Sequence, residues 1–267
     1  MLSFDSTTLY RIKNWTLDSL YVVTDFDRTL TSHDSETSWN ILSQSNIMGD
    51  EYCKERKAFF DYYRPIELDP YIDHNTKNNL MVEWWEKHIE LFIKYKLSES
   101  TIDTACKNIN VMAFRKGAKN FLQTMKELNI PVIIISAGIG NFIKEFLIAN
   151  NCDFDNIHII SNFIKFNDGI AVGVSDNIIH SLNKNEVELP KEILAKIQHR
   201  KNIILFGDSV ADILMIKEPE RKSALKIGFL DENIDQNFEY FIDAFDIVAT
   251  AKANIYKIWK ILPFSPV

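Results

Sequence analysis

The chain has 267 residues, 46% of them hydrophobic, a net charge of −7 and three cysteines. That size and apolar fraction suit a full α/β core with a smaller inserted unit and exclude a disordered tail. The acidic balance excludes a general nucleic-acid binder, and no run approaches the ~20 apolar residues of a membrane helix. Cys53, Cys106 and Cys152 show no CxxC spacing and are odd in number, which points to a reducing compartment. Met1-Leu2-Ser3-Phe4-Asp5 has neither a cationic start nor a long apolar stretch, so no signal peptide is expected and the cytoplasm is the expected location.

The first strand signal, Leu20–Thr24, runs into Asp25-Phe26-Asp27-Arg28-Thr29. A buried strand ending in two acids places both at the sheet edge where ligands sit in open α/β folds. Two acids that close repel unless a cation joins them, and Mg²⁺ suits a few carboxylates plus water and a phosphate. The plain alternative is a strand end with solvated acids and a threonine cap.

A helical stretch follows. In Leu80–Tyr95 the apolar residues recur at spacings of three and four, so one face is buried. Residues 32–110 read as a helical cap inserted after the first strand, leaving 1–31 and 111–267 as one core. Pro65 and Pro70 are expected to break the cap and leave Glu67 in irregular chain. Core strand signals then fall at Val132–Ser136, Ile157–Ile160, Ile203–Phe206, Ala224–Ile227 and Ile247–Ala249. Helical patterns at Asn141–Asn150, Lys191–His199 and Asp231–Tyr240 separate them, so a doubly wound parallel sheet is expected. Asn167-Asp168-Gly169 between alternating residues signals a hairpin in 163–174.

Two more strand tips carry chemistry. Val132–Ser136 ends in Ser136-Ala137-Gly138, a hydroxyl and free N–H groups suited to a phosphate. Ile203–Phe206 ends in Gly207-Asp208, with Asp212 one turn further on and Gly207 expected to permit the turn. Between them Asn183-Lys184-Asn185 offers a cation. The six histidines, among them His88 and His180, show no metal-ligand spacing and are expected to be packing or surface residues. Gly138-Ile139-Gly140 lacks the third glycine and ribose acid of a dinucleotide loop.

This ordered set resembles the haloacid dehalogenase superfamily of phosphatases. Tyr62–Pro70, Met81–Trp85, Ser136–Gly140, Ser161–Phe163, Asn183-Lys184 and Leu225–Leu230 are similar to the cytosolic 5′-nucleotidase III (pyrimidine 5′-nucleotidase) family. The resemblance runs from about Trp15 to Ile261. Arg28 departs from it, standing where methionine is familiar in the animal enzymes, and so does the Ser/Asn-rich stretch Thr31–Cys53. The resemblance implies Asp25 as nucleophile and Asp27 as general acid and later base, whereas spacing shows only that both reach one site. It further implies Mg²⁺ held by Asp25, the Asp27 carbonyl and Asp208, with Asp212 supporting. Ser136 and the Ala137 N–H would bind phosphoryl oxygens, Lys184 would neutralise charge, and Thr29 would orient the motif at the substrate. Glu67 would read an exocyclic amine of cytosine or a cationic methylated guanine, and Trp84 would stack on the base, with Trp85 more plausibly core.

The reading is a Mg²⁺-dependent hydrolase of nucleoside 5′-monophosphates, pyrimidine-type, acting as a monomer on a small phosphomonoester through an aspartyl-phosphate. The runners-up are a phosphatase for a sugar phosphate or phosphoserine, a nucleoside phosphotransferase, and a non-catalytic nucleotide-binding scaffold.

Overall fold

The structure is a computed structural model and describes residues 2–4, 6–107, 112–174 and 177–266. Its strands are β1 (Leu2–Phe4), β2 (Leu20–Thr24), β3 (Val132–Ile139), β4 (Ile157–Asn162), β5 (Ile164–Asn167), β6 (Ile170–Val174), β7 (Asn202–Gly207), β8 (Leu225–Leu230) and β9 (Ile247–Thr250). Seven of them form one sheet in the order β1-β9-β8-β7-β2-β3-β4. All neighbours are parallel except the edge pair β1–β9.

Period-two alternation along the strands feeds two separate cores. Val22, Val132, Ile134, Ile204 and Phe206 face one side, while Val23, Ile133, Ile135, Ile203 and Leu205 face the other. The helices α1 (Ser6–Ile12), α2 (Ile41–Gln44), α3 (Asp50–Leu68), α4 (His74–Lys94), α5 (Glu99–Cys106), α6 (Ala118–Glu127) and α7 (Gly140–Ala149) come first in the chain. They are followed by α8 (Lys191–Ile197), α9 (Glu220–Ser223), α10 (Ile234–Ala244) and α11 (Ile255–Lys260). Side chains of α6, α7 and α11 cover the first face, and those of α8 and α10 the second. Both faces are buried, which is why the strands read as unbroken apolar runs.

The order β7-β2-β3 makes β2 the point where the chain winds first one way and then the other. Its carboxyl end lies between those of β7 and β3, and such a switch point opens a crevice for ligands. The hairpin expected at 163–174 is β5–β6, turning through Asp168 (φ 49°) and Gly169 (φ 75°), both left-handed. Among the described residues no helix is long and apolar enough to cross a membrane. The three cysteines are free.

The helices between β2 and β3 do not stand apart from the core. Ile41, Tyr52, Leu91, Phe92 and Ile102 join its larger cluster, whereas Tyr63, Met81, Trp84 and Trp85 form a third cluster against Ala137 and Leu182. The boundary expected at 110/111 lies outside the described residues.

Helix α4, which carries the periodic stretch from Leu80, begins at His74, where Asp73 caps it by accepting the Thr76 N–H at 3.0 Å. One expectation needs correction. Pro65 does not break the chain: it lies inside α3, and Glu67 is helical. A proline in the last turn forfeits one hydrogen bond close to where the helix ends anyway. Tyr63 and Ile66 on either side of it pack into the tryptophan cluster and hold that turn.

Candidate active site

Lys184 joins two strand tips. Its Nζ donates to Asp25 Oδ1 at 2.6 Å, just past β2, and to Asp212 Oδ1 at 2.7 Å, beyond β7. The lysine is buried, at 6% exposed, contrary to the usual fate of that side chain. Asn183 fixes the loop that delivers it, accepting the His180 N–H at 2.7 Å and donating to Ile178 O at 2.8 Å. Asp25, Asp208 and Asp212 each offer a carboxylate oxygen, all within 4.8 Å of one another.

The Asp212 carboxylate is held by a capping box at the start of a 3₁₀ turn, Val210–Met215. Its Oδ2 accepts the N–H groups of Asp208 (3.1 Å) and Ser209 (3.0 Å). Gly207 makes this possible by its lack of a side chain rather than by turn geometry. A Cβ there would meet Asp212 Cβ at 2.5 Å, and its backbone is not left-handed.

Electrostatics single out the same cluster. Burial pushes Asp25 up to about 7, with Asp212 and Asp27 adding to the shift against the pull of Lys184. Burial and the neighbouring Asp212 and Asp25 carry Asp208 well above the carboxylate range. Burial would pull Lys184 down, but the Asp212 and Asp25 carboxylates hold it above the ordinary lysine range. Three carboxyls gathered around one ammonium, with oxygen donors alone, fit a hard divalent cation, whose charge would offset their repulsion.

Asp27 is held differently. Its Oδ1 accepts the Ser38 N–H at 2.9 Å and its Oδ2 the Ser38 hydroxyl at 2.8 Å, while the same hydroxyl accepts the Ile139 N–H at 3.2 Å. Loss of solvent pushes Asp27 up to about 6, and the Ser38 hydrogen bonds restrain that rise. The turn bearing both acids is pinned by buried Arg115, whose Nε donates to Thr29 O at 2.8 Å and whose Nη2 donates to Arg28 O. Arg115 itself pairs with Asp231 at 2.8 Å and lies 3.9 Å over the Phe229 ring. Arg28 is left-handed (φ 61°), a conformation that costs a non-glycine residue about 1–2 kcal/mol and is held here by those contacts.

A cavity of ≈ 500 Å³ opens over these groups. Asp25, Asp27, Ser136, Ala137, Lys184, Asp208 and Asp212 line it at the sheet edge; Trp39, Arg56, Glu67, Trp84 and Trp85 line it on the helical side. The sites expected on β2, β3, β7 and the Lys184 loop are therefore brought together. Ala137 O accepts from Trp39 Nε1 (2.9 Å), Trp85 Nε1 (3.0 Å) and Asn162 Nδ2 (2.9 Å), tying the helices to the β3 tip. Trp84 stacks on Tyr63 with centroids 5.7 Å apart, and Trp85 lines the cavity as well as packing.

Thr29, expected at the substrate, is fully buried and does not line the cavity. The turn aims it inward, its hydroxyl 3.5 Å from Asp208 Oδ1, so it supports that acid from behind. Glu67 reaches the cavity, but Arg64 occupies its Oε2 and the Ser181 hydroxyl its Oε1 at 2.6 Å. His88, expected to be a packing or surface residue, packs against Trp39 and Trp84 and also lines the cavity, with Nδ1 3.1 Å from Trp84 O. Ser38, Trp39, Arg56, His88 and Arg115 were not legible as site residues. The only available signal was the Ser/Asn-rich stretch 31–53 that supplies the first two.

Comparisons with known proteins agree with this geometry. The family model described as "Pyrimidine 5′-nucleotidase (UMPH-1)" matches residues 23–263. The chain is 36% identical over 239 residues to a human 7-methylguanosine phosphate-specific 5′-nucleotidase, covering 86% of this chain and 79% of that one. It is 34% identical over 262 residues to the Xenopus laevis enzyme of that description, form A, covering 95% and 90%. A crystal structure of cytosolic 5′-nucleotidase IIIB bound to cytidine superposes with TM-score 0.88 at 28% identity, covering 98% and 93%. A substrate-bound phosphoserine phosphatase shares the fold, with TM-score 0.58 at 21% identity over 91% and 98%.

Proposed function

The chain belongs to the pyrimidine 5′-nucleotidase (UMPH-1) family and is a phosphomonoester hydrolase, and from that premise we propose a Mg²⁺-dependent, cytoplasmic enzyme that cleaves nucleoside 5′-monophosphates through an aspartyl-phosphate on Asp25. The observation that carries the reading is the bridge from Asp25 through Lys184 to Asp212, with Asp208 in the same cluster. Four groups from three distant parts of the sequence meet at the switch point of the sheet, where a phosphate would bind.

In the first half-reaction an Asp25 oxygen attacks phosphorus, the bond from phosphorus to the 5′-oxygen breaks, and Asp27 gives its proton to that oxygen. In the second, water attacks phosphorus, Asp27 takes the proton, and Asp25 leaves as a carboxylate while phosphate departs. Lys184 neutralises charge on the phosphoryl oxygens, and the Ser136 hydroxyl and Ala137 N–H donate hydrogen bonds to them as a cradle. Asp25, Asp208, Asp212 and the main-chain carbonyl of Asp27 would hold the Mg²⁺. When bound, that ion supplies the charge that lets carboxylate and phosphate approach.

The 32–110 segment is the specificity cap of this reading. A pyrimidine-sized base would lie in the ≈ 500 Å³ cavity against Trp84 and Trp85, away from the reacting atoms. Phosphate release from nucleoside monophosphates, sugar phosphates and phosphoserine, with Mg²⁺ and with EDTA, tests it. Turnover led by a nucleotide and silenced by EDTA is expected; a sugar phosphate or phosphoserine outpacing every nucleotide would overturn it.

A further inference from the structure

Three buried side-chain nitrogens on the cavity wall have no hydrogen-bond partner among the described residues: Arg28 Nε, Arg56 Nε and Trp84 Nε1. All three are donors. The Glu67 carboxylate, which could balance them, is engaged at both oxygens by Arg64 and Ser181. Arg28 is close enough to Asp27 and Asp208 to stabilise their charge, which puts it at the phosphate end. Arg56 belongs to the other end. It lines the cavity with Phe60, Trp84 and His88, and its charge adds to the burial that depresses the proton affinity of His88. Glu36 acts on Arg56 across space, yet its Oε2 accepts from Asn40, and among the described residues no ion pair joins the two.

A half-buried guanidinium that faces a cavity, with its Nε unpartnered and no ion pair among the described residues, favours a ligand that brings acceptors and disfavours one that brings positive charge. We propose that Arg56 is a specificity-determining residue that selects a base presenting oxygen acceptors, such as uracil, over the cationic 7-methylguanine. Cytosine, which carries an amine where uracil carries a carbonyl, falls between them. The choice is opposite to that in the names of the human and Xenopus laevis relatives. The proposal rests on the 5′-nucleotidase reading above and adds to it the chemistry of the base.

The test is kcat/KM for UMP, CMP and 7-methylguanosine 5′-monophosphate, with p-nitrophenyl phosphate as a substrate without a base. In the wild type, UMP should exceed the methylated nucleotide by at least about 10-fold, the scale of leaving one buried donor without its acceptor. Arg56→Gln should collapse that ratio by about 10-fold, chiefly through KM for UMP, because the contact exists before and during the reaction. Arg56→Lys keeps the charge without the planar fork, so the methylated nucleotide should stay as poor a substrate as in the wild type while KM for UMP rises. A wild-type preference for the methylated nucleotide overturns the proposal without any variant being needed. So does an Arg56→Gln enzyme that loses all three nucleotides equally. Turnover of p-nitrophenyl phosphate with no nucleotide turnover would instead overturn the nucleotidase reading, and this proposal with it.

Discussion

Ser38 grips Asp27 by both carboxylate oxygens, N–H to Oδ1 at 2.9 Å and hydroxyl to Oδ2 at 2.8 Å. The acid that must deliver a proton is thus aimed by a residue of the inserted segment, not by the sheet. The same hydroxyl accepts the Ile139 N–H, so the grip also latches that segment to the end of β3.

Ser38→Ala should therefore damage proton delivery more than phosphate binding. Loss of an aimed general acid costs about 10²–10⁴-fold for a poor leaving group, and partial misalignment should cost about 10–100-fold. The rate of aspartyl-phosphate formation, read in a single turnover so that the shared hydrolysis step with Asp27 as base does not enter, should fall by that factor for the nucleotide, while for p-nitrophenyl phosphate, whose leaving group needs no proton, it should fall less than about 3-fold. Equal losses on both substrates would show that Ser38 serves the fold instead.

Gly138→Ala offers an independent route to the same defect. A Cβ at Gly138 would lie 2.1 Å from Ser38 Oγ and 3.1 Å from Asp27 Oδ2. The backbone there is not left-handed, so the substitution acts through that collision and must push the Ser38 hydroxyl off Asp27. Its leaving-group profile should match that of Ser38→Ala; a wild-type profile would contradict the crowding.

Lys184→Met should lower kcat by about 100- to 1000-fold, the usual scale for one electrostatic stabiliser in an enclosed site. It also leaves Asp25 and Asp212 without their shared donor. The measurement is steady-state phosphate release under saturating Mg²⁺. A loss below about 10-fold would remove Lys184 from the charge-neutralising role.

His88 makes stability depend on pH. Burial, helped by the Arg56 charge, pulls its imidazole down to about 3 in the folded state, against the Trp84 carbonyl that favours its protonation. Unfolded, it titrates near ~6.5, so between those values the unfolded chain binds the extra proton and folding weakens as pH falls. Asp25 and Asp27, raised to about 7 and about 6, favour the folded state in the opposite sense over the same range. The comparison of wild type with His88→Phe separates the two. Going from pH 7 to pH 5, the wild-type melting temperature should drop relative to that of the variant; parallel curves would mean that His88 is not held neutral.

The sheet was legible because its strands are buried on both faces and read as apolar runs, so the tips at Asp25, Ser136 and Asp208 could be placed without knowing their neighbours. Lys184 was legible by its order between them. What escaped depends on contacts distant in sequence. Trp39 reaches Ala137 across 98 positions and Ile139 reaches Ser38 across 101, and no local period marks either pair. Arg115 escaped similarly, since its value lies in two carbonyls of the Asp25–Thr29 turn 86 and 87 positions away. Pro65 misled because breaker rules weigh the lost hydrogen bond and not the packing of Tyr63 and Ile66 into the tryptophan cluster. Gly207 was recognised for the wrong reason: space for Asp212, not a turn, requires it.

The central claim, that Asp25 takes the phosphoryl group, can be read directly by rapid acid quench of the enzyme with a ³²P-labelled nucleoside 5′-monophosphate. Label should appear on the wild-type protein, be released by hydroxylamine as an acyl phosphate is, and be absent from Asp25→Asn, which should also lose turnover. Protein that stays unlabelled throughout turnover, or an Asp25→Asn enzyme that still hydrolyses the nucleotide, would contradict it.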